Sequence, residues 1–257
     1  MLFRSDQALS MARGDRKRNV VFVAVGFETT APATASVVID AVREDLDNFM
    51  VLNLHKSVPP ALEALASDPE VKLDALLLPG HVSVITGLGP YRFLPEKYGI
   101  ACAVAGFDAE DIMLALVEVT KQVRKQEPLV ASLYGRAVRP LGNTEARSVM
   151  EKVFTMKDAS WRGLGVIPSS GYSLREEFSR LDVLERLGMT VNSTLPPEGC
   201  MCGEVLKGLI DPPSCGLFGA SCTPVHPVGP CMVSTEGSCA AFYRFQRGRR
   251  TDWEHLP

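Results

Sequence analysis

The chain has 257 residues, 46% apolar and 22% charged, with a formal net charge of −3. That length suits one large domain or two smaller ones, and the composition is globular, not disordered. The charge gives no electrostatic basis for binding nucleic acid or an anionic membrane, and no apolar run approaches the roughly 20 residues of a spanning helix.

The opening stretch MLFRSDQALSMARGDRKR has no signal-peptide apolar region, so a cytoplasmic location is expected. Its basic run, Arg13–Arg18, reads as a solvated helix end. Four short apolar runs follow: Val20–Val25, Phe49–Leu54, Asp74–Pro79 and Ala101–Gly106. Such near-continuous runs predict strands buried on both faces of a parallel sheet. Helical patterns lie between them. Thr30 is placed to cap a helix with Pro32 in its first turn, running to about Leu46. Another helix begins at Pro59. A third starts at Asp108, with Ile112, Leu116, Val119 and Val123 as its apolar stripe. The alternation predicts an α/β fold with a Rossmann-like parallel sheet and right-handed crossovers.

Each strand ends in a polar cluster: GFETT (Gly26–Thr30), NLHK (Asn53–Lys56), PGHVS (Pro79–Ser83) and GFD (Gly106–Asp108). In one open parallel sheet all such ends share an edge, outside which ligands bind. Glu28, His55, His81 and Asp108 are therefore candidates to converge. The plainer readings are that Asp108, Thr29 and Thr30 cap helices and that His55 lies on a surface loop. No dinucleotide fingerprint or P-loop occurs.

The middle predicts a loop, a helix from about Thr144, and then a short strand, a turn over Pro168–Gly171 and a helix capped by Ser173. Three regions result: a parallel α/β domain with the ligand cleft over 1–130, a returning helical segment over 131–195 and a cysteine-rich lobe over 196–257. The boundary near Thr194–Cys200 is where Pro and Gly accumulate.

Six of the seven cysteines fall in the last region, spaced C-x-C-x12-C-x6-C-x8-C-x7-C from Cys200 to Cys239. A reducing compartment disfavours disulfides. Structural zinc usually shows C-x2-4-C knuckles, and none occurs. The Gly- and Pro-rich stretch, with thiols to spare, fits loops that deliver four thiolates to an iron–sulfur cubane. Iron–sulfur, zinc and redox-active thiols all remain open at this point. His226, between prolines, reads as a surface turn, and Phe242, Tyr243 and Phe245 as the aromatic residues that pack the lobe. Lys207, Arg244 and Arg247 read as surface charges.

The motifs GFETTAPATA, PGHVSVITG, and CMCGEVLKGL through CTPVHPVGPCMVSTEGSCAAFYRF resemble those of the HypD family of [NiFe]-hydrogenase maturation proteins, along essentially the whole chain. The resemblance implies α/β domains with a C-terminal [4Fe-4S] lobe. It implies a scaffold that works with a small HypC-type chaperone and a HypE-type cyanide donor. On it a transient Fe(CN)2CO unit is built for the hydrogenase large subunit. By the same resemblance, Cys215, Cys222, Cys239 and one of Cys200 and Cys202, with Cys202 preferred, hold the cluster, and Cys231 is a bystander. His81 belongs at the iron-assembly site, with Glu28, Thr29 and Thr30 lining the same cleft. Family members also carry an N-terminal C-G-x-H cysteine and a C-x2-C pair. This chain has no cysteine before Cys102. The resemblance thus implies a member lacking its N-terminal part, and with it the principal iron ligand and an electron relay. The competing functions are a stand-alone iron–sulfur or thiol reductase and a structural zinc-lobed binding module.

Overall fold

A computed structural model describes residues 4–190 and 197–246. In chain order the first part runs α1 (Ser5–Gly14), β1 (Val20–Ala24), α2 (Ala31–Arg43), β2 (Phe49–Asn53), α3 (Val58–Ala66), β3 (Ala75–Pro79), α4 (Gly80–Thr86), α5 (Phe93–Tyr98), β4 (Ala101–Ala105), α6 (Ala109–Lys125) and β5 (Val130–Ser132). It continues with α7 (Thr144–Val153), β6 (Phe154–Trp161), β7 (Gly165–Leu174) and α8 (Val183–Leu187). Short helices follow at Cys202–Leu206 (α9), Pro230–Val233 (α10) and Ser238–Phe245 (α11). No described helix is long and apolar enough to cross a membrane.

The four predicted strands all form, in parallel pairs. They do not form one sheet. β1 pairs only with β2, whereas β3, β4 and β5 make a separate parallel sheet in that order. β6 and β7 form a third, two-stranded ribbon. The strand ends therefore belong to two sheets, with Glu28 and His55 following β1 and β2 and with His81 and Asp108 following β3 and β4.

Burial follows this division. β4 is buried at every position, as its apolar run implies. β1 is not: Val21 and Val23 are 43% and 52% exposed, and Val25 beyond it 67%. α6 also turns differently from its predicted stripe. Its inward residues are Asp111, Ala115, Val119 and Gln122, while Ile112, Leu116 and Val123 are exposed. Small Ala115 lets α6 lie close on the alanine-rich β4, with Ala101, Ala103 and Ala105 in the same cluster. Gln122 is tolerated inside because its amide oxygen accepts the Leu129 N–H at 3.1 Å.

Helix ends follow local chemistry. Asn143 Oδ1 accepts the Ala146 N–H at 3.0 Å and caps α7, which starts at Thr144 as predicted. Thr30 stands at the N-cap of α2 without a side-chain cap bond. The segment expected as a strand, a turn and a Ser173-capped helix runs as one strand, β7, through Leu174, and its helical turns come later, as a 3-10 helix over Glu176–Leu181 and then α8. The partner of β7, β6, was not anticipated. The Gly171 Cα lies close against Ala159, so the small residue here serves strand pairing and not a turn.

Contacts divide the chain into two compact units, Met1–Ala159 with Ile167–Asn192 and Ser160–Val166 with Ser193–Pro257. The expected boundary at Thr194–Cys200 lies partly in 191–196, outside the described residues. The first unit holds one core under α1, α2 and α7 around Phe49, Val51 and Leu46, and another around Tyr91, Leu94 and Val104. The second has its own core of Cys202, Val205, Cys222, Cys231, Met232 and Cys239.

Candidate functional site

Three groups carry the predicted site residues. The first lies at the ends of β1 and β2. Gly26 leaves β1 with φ +149 and no room for a Cβ against the Thr30 side chain. The chain then turns so that Thr30 Oγ1 reaches His55 Nε2 at 3.0 Å. His55 Nδ1 lies 2.6 Å from Asn53 Oδ1, and Asn53 Nδ2 donates to the Tyr172 carbonyl at 2.8 Å. The amide oxygen is thereby an acceptor, so Nδ1 carries the imidazole proton, and Nε2 faces the Thr30 hydroxyl, which also lies 3.2 Å from the Phe27 carbonyl. His55 is buried, not on a surface loop, and desolvation lowers its pKa from 6.5 to about 4. It links β1, β2 and β7 in the neutral form.

That network predicts a pH dependence. An unfolded imidazole protonates near 6.5, whereas the folded one resists until about 4. Stability from this group is complete above 6.5 and is lost as pH falls toward 4. The difference, at about 1.4 kcal/mol per pH unit, is roughly 3 kcal/mol. Glu28 acts in the opposite sense, because burial raises its pKa and its stabilising protonated form is lost as pH rises. The contribution is therefore isolated by comparison with His55→Gln. Urea midpoints of the two proteins should converge between pH 6.5 and 4.5; parallel profiles would assign the slope elsewhere.

Glu28 itself is 2% exposed. Its Oε1 accepts the Ser57 hydroxyl at 2.6 Å and the Val58 N–H at 3.0 Å. Oε2 has no partner. The side chain borders a cavity of about 560 Å³, walled by residues of α3, α4, α7, β6 and β7. Thr29 and Thr30 are exposed.

The second group lies at the ends of β3 and β4. His81 sits at the start of α4, exposed, with its ring 4.6 Å from the Phe107 ring and 6.4 Å from Tyr134. Gly80 and Gly106 set this floor. A Cβ at Gly80 would strike the Ala105 carbonyl and would stand 2.7 Å from Tyr134, and one at Gly106 would strike the Asp111 carboxylate. Arg136 fixes the other side. It binds both oxygens of buried Asp111 at 2.6 Å, reaches Asp108 at 3.0 Å and lies 4.5 Å over the Tyr134 ring. The guanidinium holds the Asp111 carboxyl below its usual range. Asp108 is the N-cap residue of α6 without a cap bond, and its charge goes to Arg136 instead. Phe107, Tyr134, Asp111 and Arg136 were missed in sequence. GFD was noted for its aspartate alone, and Arg136 stands in a loop without periodicity.

The third group is the cysteine lobe. Cys200, Cys202, Cys215, Cys222, Cys231 and Cys239 all line one small apolar pocket with Met201, Leu217 and Phe218. None is in a disulfide. Cys231, expected as a bystander, lies on the same wall, its Sγ 3.0 Å from that of Cys239. It also hydrogen-bonds Cys202, which with burial raises the Cys202 pKa. The Val228 N–H points at Cys222 Sγ, 3.3 Å away. Gly229 passes so close that a Cβ would stand 2.6 Å from Cys200 Sγ. Among the described residues no three His, Cys, Asp or Glu side chains are arranged to enclose a single metal ion. Phe218 stacks edge-on with Phe242 and Tyr243, at 5.9 and 5.8 Å, while Phe245 is exposed. His226 is exposed, as its turn composition implies. Arg247 lies outside the described residues. Cys102 is far from this chemistry in kind: buried in β4, its thiol is pushed up to about 12 by desolvation.

Comparison with known proteins gives a consistent result. The sequence profile described as HypD, "Hydrogenase formation hypA family", matches residues 1–246. A provisionally named hydrogenase expression/formation protein of Methanocaldococcus jannaschii is 42% identical over 96% of this chain and 69% of its own length. The hydrogenase expression/formation protein HupD of Azotobacter chroococcum is 38% identical over 97% of this chain and 68% of its own. The hydrogenase maturation factor HypD of Azotobacter vinelandii shows the same identity and the same two shares.

Proposed function

The chain belongs to the HypD family, and from that premise we propose that it is a hydrogenase maturation factor acting as an iron-assembly scaffold. Its relatives' names support the maturation role, which entails work with other maturation proteins. The finer reading is that iron, as cargo, receives cyanide and carbonyl ligands here. A HypC-type chaperone shares the iron and a HypE-type protein donates cyanide. The Fe(CN)2CO unit then passes to the hydrogenase large subunit.

The observation that carries the reading is the gathering of six reduced cysteines around one pocket. The donor set fits an iron–sulfur cluster. A structural zinc site usually draws on C-x2-4-C knuckles, and the sequence has none. A cubane is wider and accepts thiolates from around a pocket. It is also tuned by N–H groups directed at sulfur, the geometry of Val228 and Cys222. Cys215, Cys222, Cys239 and one of Cys200 and Cys202 would hold a [4Fe-4S] cluster, which when bound would supply or store electrons.

His81 is the reading's cargo-site residue. Its exposed imidazole can ligate iron or hydrogen-bond one of iron's ligands. Phe107 and Tyr134 limit its rotation and present an apolar floor, and the Arg136–Asp111 pair anchors that floor. Thr29 and Thr30 offer exposed hydroxyls on the other strand edge. Co-expression with a HypC-type chaperone tests the role: a complex that survives gel filtration at micromolar concentration is expected. Complete separation of the two proteins would contradict a shared iron.

A further inference from the structure

We infer that the cavity beside Glu28 is a binding site for a small organic ammonium ion with an apolar body, its cationic head seated on Glu28 Oε2. Four observations lead there, and none depends on the iron-assembly reading.

The first is the carboxylate. Oε1 receives two donors, from Ser57 and Val58. The two donors favour the ionised form and burial opposes it, and a cation brought to the carboxylate offsets the burial. Oε2 is buried with nothing attached. An unpaired buried acceptor is costly, and a donor brought by a ligand removes the cost. A charged donor also neutralises the carboxylate and makes the stronger, charge-assisted bond.

The second is the volume. About 560 Å³ lies within the range of small-molecule sites and exceeds by far what one or two waters need. The third is the wall. Ile85, Met150, Met156 and the two prolines at 59 and 60 make it apolar, which rewards a hydrocarbon body over a hydrated inorganic cation. The fourth is the aromatic pair. Phe154 and Tyr172 both line the cavity, with ring centroids 5.8 Å apart, and such rings attract an ammonium. The arginines at the border do not compete for Glu28. Arg147 is directed to Glu151 at 3.8 Å, and Arg175 Nε donates to the Glu151 carbonyl at 2.9 Å.

Benzylamine is the probe, with benzyl alcohol and benzoate as matched controls, titrated calorimetrically into the whole chain. Saturable binding of benzylamine is expected, at least tenfold tighter than benzyl alcohol, with none for benzoate. Glu28→Gln keeps the shape and removes the charge, and should weaken benzylamine at least tenfold. Met156→Trp fills the cavity from a half-exposed position without touching Glu28, and should abolish binding. Should Glu28→Gln fail to fold, Met156→Trp decides alone. Absence of benzylamine binding, equal binding of benzoate, or binding undiminished in the folded variants would overturn the site. Cluster content and His81 chemistry are untouched by any of these outcomes.

Discussion

Cys222→Ala should strip the chain of most of its iron and acid-labile sulfide. The residue is 6% exposed and lines the six-cysteine pocket. Its sulfur faces a backbone N–H, from Val228, 3.3 Å away. A cubane holding only three protein thiolates is exposed to solvent at its fourth iron and is readily lost. The lobe around it is built from helices of five, four and eight residues, too short to persist without tertiary support. Metal binding there is folding free energy, so the variant should also melt its lobe early. Cys102→Ala is the control. It removes a buried thiol from β4, costs about 1 kcal/mol of packing and should leave iron and sulfide unchanged. Paired Cys200→Ala and Cys202→Ala variants then identify the fourth ligand, since only one of them should behave like Cys222→Ala.

His81→Ala should abolish hydrogenase maturation while leaving the cluster's visible spectrum intact. The imidazole is exposed, with its ring tilted against Phe107 and Tyr134, so its removal should cost the fold less than about 0.5 kcal/mol. Loss of a direct iron contact or of a hydrogen bond to an iron ligand acts on chemistry alone, with an expected fall in matured hydrogenase of about a hundredfold or more. The measurement is hydrogenase activity in cells whose own HypD-type protein carries the substitution at the PGHVS histidine. Maturation at the unsubstituted level would remove His81 from the site and leave the Phe107–Tyr134–Arg136 arrangement as packing.

The strand runs were legible because continuous apolar stretches of five or six residues have few other uses. All four formed within one residue of their expected ends. How they group was not legible, because pairing between β2 and β3 is a matter of tertiary packing that no local pattern encodes. That one difference puts Glu28 and His55 after one sheet and His81 and Asp108 after another. The α6 stripe failed for a related reason. Apolar periodicity marked Ile112, Leu116, Val119 and Val123, of which only Val119 is buried; β4 is lined with alanines and takes the neighbouring face, where Ala115 is small and Asp111 is satisfied by Arg136. The β6–β7 ribbon was hidden by Pro168, Ser169 and Gly171, ordinary turn residues held in a strand by pairing. The cysteine spacing announced a shared pocket correctly, yet gave no means of telling Cys231 from the rest.

The most direct measurement is the iron and acid-labile sulfide content of the chain purified without oxygen, together with its visible absorption. Brown protein with about four irons and four sulfides per chain is the result that six thiols around one pocket predict. Colourless protein carrying zinc alone, with all six cysteines intact, would contradict it.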